Sequence, residues 1–497
     1  MEQKLLPIIG LEIHIELKTK SKMFCACSNQ AEGAKANSLT CPICLGHPGT
    51  LPRVNEQAIE FALRLAQALN FKIDKKCGFA RKNYFYPDLP KGYQITQSNT
   101  PIGYDGELNI DGQLVKITRV HLEEDTGKIF RDPKTSEVTV DYNRAGTPLI
   151  EMVTYPVINS ATEASRFGQE LQKILRYLDI SDANMEKGEM RCEANISVQA
   201  EGSFEFFGPG LKAKNDFTLN NKVEVKNLNS FKALERAINY EIERQSQMIE
   251  NGETVLAETR GWDEKKNETK AQRRKETMAD YRYFDEPDLP KLDIGDEWLA
   301  KVEKDVAAVE LPQAKADRWQ KEAEWTKEQA NLLNTFPVSA KYADDLIKII
   351  NSHWPDQKDE ILKTAANWLA NEVLKHSALN SLDKNPITPL HLAELSRAIV
   401  NNEITSTNGQ VVLVEIVKDN SRSVVDIIKE LDLGQMDNSE QLVNIAREVI
   451  AEFPQQAAEY RSGKTTLLQF FVGQLMRRSS GKANPQIAKE ILEKELA

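Results

Sequence analysis

From Gly10 to Leu17 the chain alternates without a break. Leu11, Ile13, Ile15 and Leu17 point one way, and Glu12, His14 and Glu16 point the other. A period of two marks a β-strand with one face in a core. The second face then carries two carboxyls flanking an imidazole. Such a row is either the solvated side of a sheet or one wall of a metal site.

At 497 residues the chain exceeds one core and should divide into roughly two to four domains. Lys and Arg number 64 against 75 Asp and Glu, a net charge of −11. That balance argues against a general nucleic-acid binder but leaves room for a local basic patch. No run approaches the ~20 apolar residues of a membrane helix. The apolar stretch Leu5–Leu11 stops at Glu12, too soon for a signal peptide, and the N-terminus is not Arg- and Ser-rich like a transit peptide. A cytoplasmic protein is expected, and its six cysteines read as metal ligands or thiols before disulfides.

Cys25-x-Cys27 and Cys41-Pro-Ile-Cys44 form two close pairs across a short loop. The spacing suits a structural zinc knuckle with four thiolates around a tetrahedral ion; reduced, unliganded thiols are the alternative. His47 stands near enough to replace a thiolate, while Cys77 and Cys192 read as core residues. Asn55 caps a helix with Ile59, Ala62, Leu63, Ala66 and Leu69 on one face. The stretch Arg81–Gln94 mixes cations, tyrosines and turn residues without a period. It reads as a loop that either binds phosphates and bases or is a rigid surface feature. Asp111-Gly112 marks a hairpin turn. Beyond it a strand runs into Glu123-Glu124-Asp125, three acids that must point different ways. Glu151 sits inside the apolar run Leu149–Val153, where an unpaired carboxylate costs several kcal/mol, so it needs a cation, a metal or a proton. A metal shared with Glu12 is one answer, and an ion pair with Arg144 the other. Ser160-x-x-Glu163 opens a further helix. Met190–Val198 alternates as a strand with Arg191, Glu193 and Asn195 on one face.

After about Asp296 strands become scarce, and five of the six tryptophans lie between Trp298 and Trp368. From Tyr460 to Ala497 the net charge is +4, which suits a polyanion or a solvated helical face. No Walker A loop, dinucleotide glycine pattern, internal repeat or glutaminase nucleophile is found.

The blocks GLEIHIEL, RKNYFYPDLPKGYQITQ, HLEEDTGK, DYNRAGTPLIEMV, MRCEANIS, VEVKNLNSF, DYRYFDEPDLP and FFVGQLMRRSSGKANP together resemble the B-subunit family of the aspartyl/glutamyl-tRNA(Asn/Gln) amidotransferases. The resemblance spans essentially the whole chain in order. It implies an α+β multidomain protein: a mixed α/β cradle catalytic domain over 1–294 with a zinc-binding insert at 25–44, a helical domain over 295–409, and a small all-helical, tRNA-binding tail over 410–497. It implies an ATP-dependent carbon–nitrogen ligase with glutamine as amido donor, acting in protein biosynthesis. Such an enzyme phosphorylates the side-chain carboxylate of Glu-tRNA(Gln) or Asp-tRNA(Asn), and ammonia then displaces phosphate. Ammonia would come through a channel from an amidase-type A subunit, with a small C subunit completing a heterotrimer; an aminoacyl-tRNA synthetase is a further candidate partner.

By position, Glu12, His14, Glu124 and Glu151 match the family's Mg²⁺ site and would be catalytic; a His among carboxylates keeps Mn²⁺ open. Cys25, Cys27, Cys41 and Cys44 would hold Zn²⁺. Lys82, Tyr84, Lys91 and Arg144, with Arg191 and Asn195 behind them, are candidates for ATP or substrate contact or the channel mouth. Family members commonly carry Asp where this chain has Glu193. Two other readings compete: a non-catalytic tRNA-binding scaffold, and a stand-alone metal-dependent phosphoesterase.

Overall fold

A computed structural model describes residues 4–97, 99–274, 281–435 and 439–497. Asp280, the first residue of one of the matched blocks, lies outside them. The chain divides into two compact units, Met1–Leu311 and Pro312–Ala497.

In the first unit the strands run, in chain order, β1 (Leu5–Glu16), β2 (Lys72–Ile73), β3 (Ala80–Asn83), β4 (Tyr93–Thr96), β5 (Gly103–Ile110), β6 (Gln113–Glu124), β7 (Lys128–Arg131), β8 (Val138–Asp141), β9 (Pro148–Thr154), β10 (Met190–Ala200), β11 (Phe204–Phe207), β12 (Gly210–Ala213), β13 (Val223–Leu228), β14 (Glu258–Asp263), β15 (Glu268–Arg274) and β16 (Phe284–Asp285). Twelve of them form one sheet in the order β15-β14-β13-β10-β1-β9-β6-β4-β3-β16, with β5 on β6 and β2 on β5. β7–β8 and β11–β12 are separate hairpins. The β13–β14 pair is parallel.

The alternation of β1 is realised as expected. Leu11, Ile13, Ile15 and Leu17 are all but fully buried, in a core shared with the helices α1 (Glu56–Ala68), α2 (Ala161–Tyr177) and α3 (Phe231–Glu250). The first two helices begin where their caps predict: the side chains of Asn55 and Ser160 accept backbone N–H groups of the first turn, and Ser230 caps the third in the same way. Asp111 and Gly112 take positive φ and close the β5–β6 hairpin. With three helices on one face, the opposite face of the sheet is left to the polar side chains.

Part of the expected loop at 81–94 is strand. Its ends pair as β3 and β4, Lys82 across from Gln94. Strands of four residues carry too few positions to show a period. The expected cut at 294 falls before a further helix, α4 (Asp296–Ala307), whose Val302 and Val306 lie in the first unit's core together with Trp298.

The second unit contains no strand among its described residues. Its last three long helices, Ser439–Glu452, Leu468–Arg478 and Pro485–Leu496, pack around Leu442, Phe471, Leu475 and Leu492. The basic C-terminal end is largely neutralised there. Arg478 pairs with Glu448 and Glu452, and Lys464 with Glu459. Over 439–497 eight basic residues face seven acidic ones, so the +4 counted from Tyr460 shrinks to +1 once the adjoining helix is included.

One close approach in the first unit admits only glycine. A Cβ on Gly106 of β5 would fall 2.5 Å from the Phe71 ring, which is itself buried. Gly106→Ala is therefore expected to destabilise the first unit by about 1–3 kcal/mol, the usual size of overpacking. Denaturant unfolding followed by circular dichroism measures this, and Phe71→Leu in the same background should recover part of the loss.

Candidate functional site

The polar face of the sheet gathers acids from three neighbouring strands. In register, Glu151 of β9 stands between His14 of β1 and His121 of β6. His14 Nε2 lies 3.5 Å from Glu151 Oε2 and 3.5 Å from Glu123 Oε1. His121 Nε2 lies 3.6 Å from the same Glu151 oxygen. Glu12, His14 and Glu151 can offer ligand atoms within 4.8 Å of one another, and so can His121, Glu123 and Glu151, and Glu12, Glu193 and Glu224. Glu151 belongs to the first two sets and Glu12 to the first and third.

The electrostatics follow from burial. Against the desolvation that would raise it, the imidazoles of His121 and His14 and the Lys82 ammonium hold the Glu151 carboxyl far below the usual range. Burial, and after it the Glu151 carboxylate, pushes Glu12 up. Burial alone would lower His14, but the hydrogen bond to Glu151 and the charges of Glu123, Glu151 and Glu12 raise it to about 9. The cluster thus carries more negative charge than its own imidazoles balance. A proton on His14 is one way to offset the excess; a hard divalent cation such as Mg²⁺ or Mn²⁺ is another.

Glu124, the expected fourth ligand, is not in this cluster. It points through the opposite face of β6, pairs with Lys91 and accepts the Ile95 N–H at 3.0 Å. Its neighbour Glu123 occupies the place expected of it. Successive side chains of a strand face opposite ways, so only one of the two can look at Glu151. Lys91 and Glu124 line a cavity of about 230 Å³ together with Phe24, Tyr93 and Cys44.

Arg144 does not pair with Glu151. Its guanidinium donates to the carbonyls of Thr126 and Gly127, both at 3.1 Å, and lies 3.5 Å from Asp125. Asp125 also takes Arg191 at 2.9 Å. Although buried, it is drawn down to about 2 by Arg191 and Arg144, while burial and the Asp125 charge push Glu16 up to about 8. These four form a self-contained ion group at the end of β1 and β6. The cation that does reach Glu151 is Arg119, at 3.4 Å.

Lys82 faces the cluster and is raised, against its burial, by the charges of Glu123 and then Tyr283 and Glu151. Its ammonium lies 5.2 Å from the centroid of Tyr281, which packs edge-on against Tyr84. Glu193 sits across from Glu12 on β10, and Lys226 of β13 binds it at 2.8 Å and Glu224 at 3.2 Å. Asn195 lies further along β10, across from Gly10 and Glu224, outside the ligand sets. Sequence reasoning does not single out Arg119, His121, Glu123 or Lys226. His121 and Glu123 share a strand parity, which is readable; their register against Glu151 is not.

The second cluster is the expected one. The sulfurs of Cys25, Cys27, Cys41 and Cys44 lie within 4.8 Å of one another, and none is in a disulfide. Cys41 and Cys44 Sγ are 3.9 Å apart, close to the ~3.8 Å edge of a tetrahedron with Zn–S bonds of about 2.3 Å. The Cys41 N–H points at Cys44 Sγ at 3.2 Å. Cys25 is pushed up, foremost by its hydrogen bond to Cys44, and that bond with help from Lys22 draws Cys44 down to about 4. The four thiols fit a structural zinc ion; His47 is not among them.

The family model described as the GatB/GatE catalytic domain matches residues 7–300, and that described as the GatB domain matches residues 356–496. The chain is 40% identical to the B subunit of the chloroplastic/mitochondrial glutamyl-tRNA(Gln) amidotransferase of Sorghum bicolor, over 98% of this chain and 86% of that one. It is 39% identical to the B subunits of the aspartyl/glutamyl-tRNA(Asn/Gln) amidotransferases of Persephonella marina and Thermotoga maritima, over 99% of this chain and at least 98% of theirs. No helix among the described residues is long and apolar enough to cross a membrane.

Because Glu151 belongs to both ligand sets that include a histidine, Glu151→Gln should weaken Mn²⁺ binding strongly, measured by electron paramagnetic resonance titration. Glu124→Gln, on the other face, should leave the affinity near that of the unaltered chain. Equal losses in the two folded variants would refute this division of the acids.

Proposed function

This chain belongs to the GatB/GatE family of tRNA amidotransferase B subunits, and on that premise we propose that its first unit converts a mischarged glutamyl- or aspartyl-tRNA to the amide in two steps. In the first, the side-chain carboxylate of the aminoacyl group attacks the γ-phosphorus of ATP, giving an acyl phosphate and ADP. In the second, ammonia attacks the acyl carbon, phosphate leaves, and the nitrogen sheds its extra proton.

The observation that carries this reading is the buried carboxylate–imidazole cluster around Glu151. A divalent ion held there by Glu12, His14, Glu123 and Glu151 would supply the positive charge that phosphoryl transfer needs. The chain's own cations flank the same face. Lys82, Arg119 and Lys226 would draw the phosphates in and orient the transferred group. Tyr84 and Tyr281 border Lys82 and offer ring surface to the nucleotide or to the acceptor end of the tRNA. Arg144 and Arg191 act one step back, fixing Asp125 and with it the end of β6.

We place ammonia entry on the other face of β6, at the cavity closed by Lys91 and Glu124. An amidase-type A subunit would supply the ammonia and a small C subunit would complete the assembly, in keeping with relatives that are each one subunit of a larger amidotransferase. The four-cysteine knuckle would hold zinc structurally, apart from the chemistry. A tRNA-binding scaffold would have no use for so many acids buried side by side, an arrangement that costs stability unless a cation offsets it.

In the complex with its partner subunits, Glu151→Gln should abolish tRNA-dependent ATP cleavage and amide formation together, while glutamine hydrolysis survives at least in part. Near-normal ATP cleavage in the folded variant would return the acids to a structural role. The tail is read as a tRNA-binding surface. Truncation at Tyr460 would strip Phe471, Leu475 and Leu492 from the core they share with Leu442, so a point change is the cleaner test. Arg477 is exposed and makes no ion pair among the described residues. Arg477→Glu should raise the KM for mischarged tRNA, flatten the salt dependence of binding and spare kcat at saturating tRNA.

A further inference from the structure

Lys22 is completely buried, one of the largest side chains in the protein with no exposed surface. Its ammonium has two partners among the described residues: Cys44 Sγ at 3.8 Å and the Tyr142 carbonyl oxygen at 3.3 Å. No carboxylate among those residues pairs with it. A buried ammonium without a counter-charge is strongly disfavoured, and a carbonyl dipole alone does not replace one. The group in contact with it that can carry negative charge is the four-cysteine cluster, through Cys44. Four neutral thiols would leave Lys22 uncompensated. Four thiolates around a divalent zinc carry a net charge of about −2 and would balance it.

The second partner leads out of the knuckle. Tyr142 opens the turn that carries Arg144, and its carbonyl also accepts the Ala145 N–H at 3.1 Å. Gly146, at positive φ, packs against the Lys22 stem: a Cβ there would lie 3.4 Å from Lys22 Cδ and 3.6 Å from Cys44 Cβ. The Gly146 N–H binds the Asp125 carbonyl at 2.9 Å, and the Asp125 N–H binds Thr147 O at 2.8 Å. Each link in this path is a direct contact, and it ends on the acids that close β6.

We propose that Lys22 is the charge partner of the metal–thiolate cluster and ties it to the turn at 142–147, so that the knuckle holds the Arg144–Asp125 ion group at the end of β6 in place. The proposal rests on the zinc reading of the four thiols. It makes Lys22 a positioning residue, acting through the turn, and it gives a structural metal a specific mechanical task.

The test uses the full-length chain and two measurements that do not depend on activity. The first is zinc content and the rate of zinc transfer to a chromogenic chelator, for the unaltered chain and for Lys22→Met, which keeps most of the volume and removes the charge. Lys22→Met should lose zinc affinity by about 10–100-fold, the usual cost of losing an outer partner of a metal ligand. The second is amide hydrogen exchange of the unaltered chain before and after zinc removal. The amides of Ala145, Gly146 and Thr147 should exchange faster without zinc, while those in the middle of α2 should not change. The second measurement decides the matter where Lys22→Met does not fold. Unchanged zinc affinity in a folded Lys22→Met variant, or exchange at 145–147 indifferent to zinc, overturns the proposal while leaving the zinc reading intact. An unaltered chain that holds no zinc, with four titratable thiols, overturns both.

Discussion

Glu151 is the charge around which the rest of the first unit is arranged. It lies in the middle of a buried strand, in the middle of the sheet, with an imidazole in register on each side. A carboxylate in that position is tolerable only because His14, His121, Arg119 and Lys82 converge on it. The adjacency of β1, β9 and β6 brings His14, His121 and Arg119 to Glu151, with His14 and Glu151 more than a hundred residues apart in sequence, and Lys82 reaches in from β3. The three helices on the far face seal that side from water. They provide the low-dielectric backing that makes each charge on the near face count.

What can be read from the sequence are properties set by neighbours along the chain. Leu11, Ile13 and Ile15 declare a buried strand face because alternation is local. Asn55 and Ser160 declare helix starts because a cap needs only the next three residues. The cysteine knuckle is legible because both pairs sit within one short loop. The polar face of β1 is legible too, and Glu12, His14 and Glu151 do converge. What cannot be read is register. Nothing within HLEEDTGK says whether Glu123 or Glu124 looks at Glu151, because that depends on how β6 slides against β9, and a slip of one residue exchanges the faces. Arg144 as a partner of Glu151 fails for the same reason: closeness in sequence suggests an ion pair, whereas the turn carries the guanidinium to Asp125. The tail's charge is overstated by the sequence window because the acids that neutralise it lie in a helix upstream.

The three consecutive acids at the end of β6 show how one short run serves three environments. Glu123 faces the imidazoles, Glu124 faces Lys91 and the cavity behind the sheet, and Asp125, past the strand's end, is gripped by two arginines. On the proposed reading these are the phosphoryl-transfer face, the ammonia face and the anchor. The sheet itself is the wall between the first two, and adjacent residues on one strand are rigidly coupled through it. A shift of β6 that reorients Glu123 toward a bound nucleotide must also move Glu124 relative to Lys91. The backbone at residues 123 and 124 is held by hydrogen-bonded strands on both sides, β4 and β9, which fixes the two side chains on their separate faces.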